Sequence, residues 1–539
     1  MATSRSSPDP SLHKDAGPPF RRVLVANRGE IAVRIIRACH EAGMEAVAVY
    51  SDADASARHV RMADQAVRIG PPPPDESYLR IEAIIEAARS TGAEAIHPGY
   101  GFLAERASFA RAVEDAGLTF VGPPSTVIDA LGDKLQARRA ARDAGVATVP
   151  GTLEPAPVDR PDELASIMAE AETIGFPLLV KAAAGGGGRG MRRVGTPADL
   201  PAALVGGSRE AASAFGDGAV YLEREIVPAR HIEVQLLGDV TGRVVAIGER
   251  DCSVQRRHQK LVEEAPAPGL TAADRRQLHD LAVRVATAAG LQNAATAEFL
   301  RAPDGAVYFL EINTRLQVEH GVTELVSGLD IVREQFSLAA GRPLSAEALA
   351  AAERAADPVG HAIEVRITAE YPSRDFTPTP GRVRHWVMPS GPGVRVDTAI
   401  EVGERIPPEY DNLIAKLMVH AGSRDTAIQR LRRALDETEI GGIQTTLPFH
   451  RHVAWSESFA AAELSTGWVG EHWDGPAALD RAARIAQLAA GLDALETAIA
   501  TGVAVAPQPM AAATATRPEP VDGRWARAGR FAGADRWPG

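Results

Sequence analysis

The chain has 539 residues, 45% hydrophobic and 24% charged, with a formal net charge of −12. That length exceeds what one hydrophobic core organises and predicts two to four domains. The acidic balance, with both signs interspersed, argues against a nucleic-acid binder or a polybasic membrane patch. Cys39 and Cys252, the two cysteines, leave neither a disulfide framework nor a cysteine zinc site.

No apolar run approaches the roughly 18 residues of a membrane helix. Residues 1–20 are rich in Ser, Pro and charge without an apolar core, so they read as a disordered N-terminus rather than an export signal, and a cytoplasmic protein is expected. Five of the 58 basic residues are lysine: Lys14, Lys134, Lys181, Lys260 and Lys416. Where arginine supplies nearly every cation, a retained lysine points to a place that needs a compact ammonium. No Gly-Lys pair occurs, which excludes a Walker A loop.

In chain order, "RRVLVANRGEIAVRIIRACHEAGMEAVAVYSDAD" reads as strand, glycine turn, amphipathic helix and strand. Helix-then-strand patterns continue, so residues 21–133 are expected to form an open, mainly parallel α/β (Rossmann-like) domain. Ligands bind such sheets at the carboxyl ends of strands, which marks Asn27-Arg28-Gly29 and His97-Pro98-Gly99-Tyr100-Gly101 as site loops. Hairpin-like pairs follow over 134–330: "PLLVKAA" with "GMRRV", "HIEVQLLGD" with "RVVAIGER", and "ATAEFL" with "AVYFLEIN". Residues 355–470 mix strands with the helix "RDTAIQRLRRALDET", an α+β pattern. Residues 471–539 read as a helical extension, a low-complexity linker and a tail.

"KAAAGGGGRGM" holds Gly185, Gly187 and Gly190 in a G-x-G-x-x-G array. A strand rather than a helix follows, which suits a flap whose amides fold over phosphates, with Lys181 at its base. In "ATAEFLRAPDGAVYFLEIN", a hairpin centred between Asp304 and Gly305 sets Glu298 opposite Glu311, with Asn313 two residues along. Two carboxylates and an amide oxygen suit Mg²⁺. In "EINTRLQVEH", the polar residues Glu311, Asn313, Arg315, Gln317 and Glu319 alternate with Ile312, Thr314, Leu316 and Val318, so an extended chain carries them on one face. Arg315 and Gln317 then form a slot for a small planar oxyanion, with Glu319 as a general base. "RDCSVQRRHQK" adds His258 and Lys260 near the phosphates.

These motifs together resemble the biotin carboxylases of the ATP-grasp superfamily. "ANRGEIA", "HPGYGFL", "GDK", "KAAAGGGGRGM", "RHIEVQ", "RDCSVQRRHQK", "EINTRLQVEH", "HAIEVRI", "FTPTPG" and "PPEYDNLIAKL" carry the likeness over roughly residues 21–470. It implies an N-terminal α/β domain, a central ATP-grasp domain with a glycine-rich lid at about 151–223, and a C-terminal biotin carboxylase domain at 355–470. It also implies that ATP with Mg²⁺ or Mn²⁺ carboxylates biotin from bicarbonate.

By this resemblance Lys134, Lys181 and the lid amides of Gly186, Gly187 and Gly188 contact nucleotide phosphates. Glu223, Arg224 and Ile226 correspond to the adenine-side strand, and His231, Gln255, His258 and Lys260 line the same pocket. Glu298, Glu311 and Asn313 correspond to metal ligands. Arg315, Gln317 and the backbone of Val318 correspond to the bicarbonate site, Glu319 to its base, and Arg366 to the arginine that stabilises the biotin enolate. Gly321 replaces the family's usual Pro and is expected to loosen the loop that holds Glu319.

Biotin is normally carried on the lysine of a Met-Lys pair. No such pair exists here and no lysine follows Lys416. The carrier protein and the carboxyltransferase of an acyl-CoA carboxylase, such as the acetyl-CoA carboxylase of fatty acid biosynthesis or a propionyl-CoA carboxylase, are therefore expected in trans. Homodimerisation is a family expectation. Trp525 and Trp537 in the tail are expected to anchor a docking segment on a partner protein. A carbamoyl-phosphate-forming ligase, which also phosphorylates bicarbonate, is the rival reading. The "HAIEVRI" segment and the lack of two tandem ATP-grasp halves weigh against it.

Overall fold

The computed structural model describes residues 17–156, 158, 164–183 and 191–501. Gly186, Gly187 and Gly188, residues 1–16, Trp525 and Trp537 lie outside the described residues. The chain divides into two units. One comprises residues up to Cys252, Glu264–Val359 and Asp397–Ala399; the other comprises Ser253–Glu263, Gly360–Val396 and Ile400 onward.

The first unit opens with β1 (Arg22–Val25), α1 (Gly29–Glu41), β2 (Glu45–Ser51), β3 (Gln65–Gly70), β4 (Ala95–His97) and β5 (Thr119–Phe120). The strands form a parallel sheet in the order β3-β2-β1-β4-β5. Ile31, Ile35 and Ile36 of α1 recur at helical spacing and pack against Val23, Val25, Ala46 and Ala95. The two expected site loops meet at the carboxyl end of the sheet, where Asn27 Nδ2 donates to Pro98 O at 2.7 Å and Tyr100 O at 2.8 Å. Gly99 has φ +64°, and a Cβ there would lie 2.8 Å from Asn27 Nδ2. Only glycine permits this closure.

Next come α2 (Lys134–Asp143) and a three-stranded sheet, β7-β6-β8, from β6 (Leu178–Ala182), β7 (Arg192–Val194) and β8 (Val220–Arg224). The antiparallel pair β6–β7 flanks the glycine-rich segment, as its sequence predicts. Then follow β9 (Arg230–Gly238), β10 (Val244–Arg256), β11 (Gln259–Ala265), α3 (Ala272–Ala288), β12 (Asn293–Arg301), β13 (Val307–Asn313) and α4 (His320–Ser327). In this unit β13, β12, β9 and β10 lie side by side, antiparallel. Ala282 and Val285 of α3 pack with Val234, Leu236, Ala295 and Phe299.

The hairpin register differs near its turn from the sequence expectation. Arg301 pairs with Val307 and Phe299 with Phe309, so the turn is centred on Asp304. A bulge then shifts the register by one, and Glu298 does face Glu311. The alternating row is also shorter than expected. Strand β13 ends at Asn313, residues 314–319 form a turn, and Glu319 is the N-cap of α4. Gly321 lies buried in the first turn of that helix, not in a loop.

The second unit contains the β10–β11 hairpin residues 253–263. It adds β14 (His361–Thr368), β15 (Leu413–Ala421), α5 (Arg424–Glu437), α6 (Leu447–Trp455) and α7 (Gly475–Thr501). β14 and β15 pair antiparallel. Their inward residues, including Val365 and Leu417, bury with Leu431, Phe449 and Trp468.

Candidate active site

In the first unit, strand pairing sets four charged residues in one row: Glu311 on β13, Glu298 on β12, Glu233 on β9 and Arg250 on β10. Three adjacent carboxylates repel unless cations separate them. Cations stand at both ends of the row. Lys134 Nζ, at the first position of α2, lies 3.2 Å from Glu311 Oε2. Burial alone would lower the Lys134 pKa, but Glu311 foremost, with Glu223 and Glu298, raises it above the ordinary lysine value. At the other end Arg250 Nε donates to Glu233 Oε1 at 2.5 Å. His231, two residues from Glu233, sits 3.1 Å from Glu298 Oε2.

Beside this row lies a second ionic cluster. Glu223 of β8 accepts from Lys181 Nζ of β6 and from Arg138 Nη1 of α2, all buried. Burial pushes the Glu223 carboxyl up, but Lys181 and then Arg138 outweigh it and hold it below its ordinary value. Arg224 is exposed and Ile226 half-buried on the same segment.

The turn after β13 folds its side chains back over the row. Arg315 Nη1 donates to Gln317 Oε1 at 2.9 Å and Nη2 to Asn313 Oδ1 at 3.2 Å. Gln317 Nε2 donates to Glu298 Oε1 at 3.2 Å, and Asn313 Nδ2 to the same oxygen at 3.0 Å. Arg315 Nε is 2.9 Å from Glu105 Oε2. Val318 is half-buried in this turn and Glu319 fully buried. A Glu319 carboxylate oxygen lies within 4.8 Å of one from Glu233 and of Cys252 Sγ. The expected residues Lys134, Lys181, Glu223, His231, Glu298, Glu311, Asn313, Arg315, Gln317, Val318 and Glu319 therefore occupy one region of this unit. The all-oxygen set of Glu298, Glu311 and Asn313, with excess negative charge in mid-row, fits Mg²⁺ or Mn²⁺.

In the second unit Gln255 is buried on β10, His258 is exposed at the hairpin turn with φ +66°, and Lys260 is half-buried on β11. Arg366 on β14 donates from Nε to Glu263 Oε1 of β11 at 2.5 Å. Its backbone oxygen accepts from Thr446 Oγ1 at 3.0 Å and from His450 Nε2 at 2.6 Å. Burial lowers the His450 pKa to about 4, so its ring is neutral near pH 7. Lys416 is fully buried opposite Arg366.

Three family models match: "Biotin carboxylase, N-terminal domain" over residues 19–128, "Carbamoyl-phosphate synthase L chain, ATP binding domain" over 133–347, and "Biotin carboxylase C-terminal domain" over 364–471. The chain is 48% identical to the biotin carboxylase of Pseudomonas aeruginosa over 442 residues, covering 82% of this chain and 96% of that protein. The chain belongs to the biotin carboxylase family. Biotin carboxylase 1 of Bacillus subtilis is 47% identical over 448 residues, which is 83% of this chain and 97% of that protein. Among solved structures, the biotin carboxylase domain dimer of 2-oxoglutarate carboxylase from Hydrogenobacter thermophilus, in complex with MgADP, ADP and bicarbonate, superposes with a TM-score of 0.80. It is 44% identical and covers 84% of this chain and 98% of that chain.

Several residues that contact the expected ones escaped the sequence reading. Glu233 and Gln235 alternate with His231 along β9, so the period-two signal was present in "HIEVQ". Glu263 and Glu105 adjoin recognised motifs. Arg250 opens the quoted motif "RDCSVQRRHQK" without being singled out, and Arg138 gave no signal, because in an arginine-rich chain a buried arginine reads like any other.

Proposed function

We propose that this chain carboxylates biotin on a separate carrier protein, using ATP and bicarbonate, as the first half-reaction of an acyl-CoA carboxylase such as acetyl-CoA or propionyl-CoA carboxylase. The observation that carries the reading is the convergence of Arg315, Gln317 and Glu319 on the carboxylate row that Lys134 closes. One side offers an oxyanion slot and a base; the other offers a place for a metal-bound phosphate.

Lys134, Lys181 and the amides of Gly186, Gly187 and Gly188 bind the ATP phosphates. Glu223, Arg224, Ile226 and His231 line the nucleotide pocket of the first unit, and Gln255 and His258 are nucleotide contacts by the family resemblance. Glu298, Glu311 and Asn313 hold Mg²⁺ or Mn²⁺, which neutralises phosphate charge when bound. Arg315, Gln317 and the Val318 N–H orient bicarbonate, and Glu319 takes its proton. The bicarbonate oxygen bonds to the γ-phosphorus as the bond to ADP breaks, with Lys260 balancing the developing charge. Carboxyphosphate divides into CO₂ and phosphate, phosphate removes the ureido proton of biotin, and the ureido nitrogen bonds to CO₂. Arg366 stabilises the enolate form and stays protonated at any working pH. Glu263 fixes its Nε edge, while Thr446 and His450 fix its backbone.

We place the domains at 21–133, 134–330 and 355–470, with an extension at 471–539, and propose a cytoplasmic homodimer that meets its carrier and carboxyltransferase in trans. Among the described residues no helix is long and apolar enough to cross a membrane. The test is ATP cleavage by the purified chain with Mg²⁺, with and without bicarbonate and free biotin. ADP release that requires bicarbonate and is accelerated by biotin is expected. Cleavage indifferent to biotin would overturn the proposal in favour of a carbamoyl-phosphate-forming ligase.

A further inference from the structure

We infer that Arg250 and Thr323 form a buried clamp that sets the position of Glu319, making both positioning residues for bicarbonate activation. The inference rests on Glu319 acting as the base.

Arg250 is fully buried, and its guanidinium reaches side chains on β9, β12 and α4. Nε donates to Glu233 on β9 at 2.5 Å. Nη1 donates to Gln235 Oε1 on β9 at 3.0 Å and to Thr323 Oγ1 on α4 at 2.8 Å. Nη2 donates to Thr296 Oγ1 on β12 at 3.3 Å. The bond to Thr323 fastens α4 to the sheet. Thr323 lies one helical turn beyond Glu319, the N-cap of the same helix. The Glu319 side chain does not cap the helix; it is directed to the Glu233 and Cys252 side of the sheet instead.

Two buried carboxylates within 4.8 Å repel. Arg250 offsets this by bonding to Glu233 while attracting Glu319. The clamp therefore acts twice, by anchoring the helix that carries the base and by neutralising the carboxylate that would drive the base away. A base must sit within hydrogen-bond reach of the proton it removes, and a shift of about 1 Å can lower a rate about 100-fold. Lysine at 250 keeps the charge but lacks the planar fork needed to join the strands to the helix.

The experiment compares Thr323→Val, Thr323→Ser, Arg250→Lys and Glu319→Gln in bicarbonate-dependent and bicarbonate-independent ATP cleavage, with KM for ATP and melting temperature measured on each. For Thr323→Val we expect kcat of the bicarbonate-dependent reaction to fall about 10-fold, with KM for ATP and bicarbonate-independent cleavage within about 2-fold of wild type. Thr323→Ser restores most of the loss because it restores the hydroxyl. Arg250→Lys is expected to lose about 100-fold in the same reaction. If Arg250→Lys does not fold, the threonine pair alone decides. Equal losses in both ATP-cleaving reactions, or Thr323→Ser no better than Thr323→Val, would mean a merely structural role and overturn the clamp. A Glu319→Gln variant with wild-type turnover would overturn the base assignment itself. An inactive Glu319→Gln beside unaffected clamp variants would overturn only the clamp.

Discussion

Arg138→Met tests how the nucleotide side of the site is held together. In the native protein the Glu223 carboxylate is 1% exposed and receives both Arg138 and Lys181. The substitution removes one of the two cations bonded to Glu223 and strips Val149 O of the Arg138 Nη2 donor, now 2.7 Å away. Breaking one arm of a buried ionic cluster costs about 3–5 kcal/mol, because the remaining charge stays buried without full compensation. Methionine refills much of the side-chain volume, so little packing loss is added. A loss of about 4 kcal/mol, at about 2 °C per kcal/mol for a large cooperative unit, lowers the melting temperature by about 8 °C. Function should follow. Lys181 is then drawn more fully to Glu223 and has less charge to offer a phosphate, so KM for ATP should rise about tenfold, the equivalent of one weakened charge-assisted hydrogen bond. KM for bicarbonate should stay within about twofold, since Arg315 and Gln317 bond to Asn313 and Glu298 rather than to Glu223. Intrinsic fluorescence melting with steady-state kinetics measures both quantities. A melting temperature within about 1 °C of wild type, with KM for ATP unchanged, would refute the ionic account of this cluster.

Glu319→Gln should leave KM for ATP near normal and lower bicarbonate-dependent turnover by about 10²–10⁴-fold, as removal of a general base does; ADP release against bicarbonate concentration measures it. Arg366→Ala should impair carboxylation of biotin more than bicarbonate-dependent ATP cleavage, and equal losses in a paired assay would contradict its enolate role. Stability should fall as pH drops from 6.5 towards 5. Burial holds His59 and His450 near pKa 4 and His97 near 3. Over that interval the unfolded chain binds protons that the folded chain refuses, so each histidine removes about 2 kcal/mol by pH 5. Melting temperature against pH reads this slope, and His450→Gln should flatten it; an unchanged slope would exclude His450 from the effect.

Much of the architecture is written in local pattern. The run Val23–Val25, the glycine turn at Gly29 and the helical spacing of Ile31, Ile35 and Ile36 specify a β-α-β start without reference to any distant residue. The hairpin that sets Glu298 opposite Glu311 was also legible, though its register involves a turn centred one half-step earlier and a bulge that restores it. Sequence spacing cannot show a bulge, because the extra residue is accommodated by backbone geometry. The extended row failed beyond Asn313 for a related reason. Residues 314–319 alternate in polarity, yet Glu319 starts a helix, and the side chains converge by folding back.

Sequence alone determined the kinds of group present, their order, and the strands that carry Lys181, Glu298, Glu311 and Asn313. It also singled out Lys134 and Lys181 by their scarcity. Tertiary structure alone decided what stands between those groups. Strand β9 lies between β12 and β10, so Glu233 faces Glu298 on one side and Arg250 on the other. Helix α2 brings Arg138 to Glu223 across 85 residues of chain. Periodicity reports which face of an element a residue occupies. It does not report which distant element lies across that face, and buried charges are stabilised by that partner.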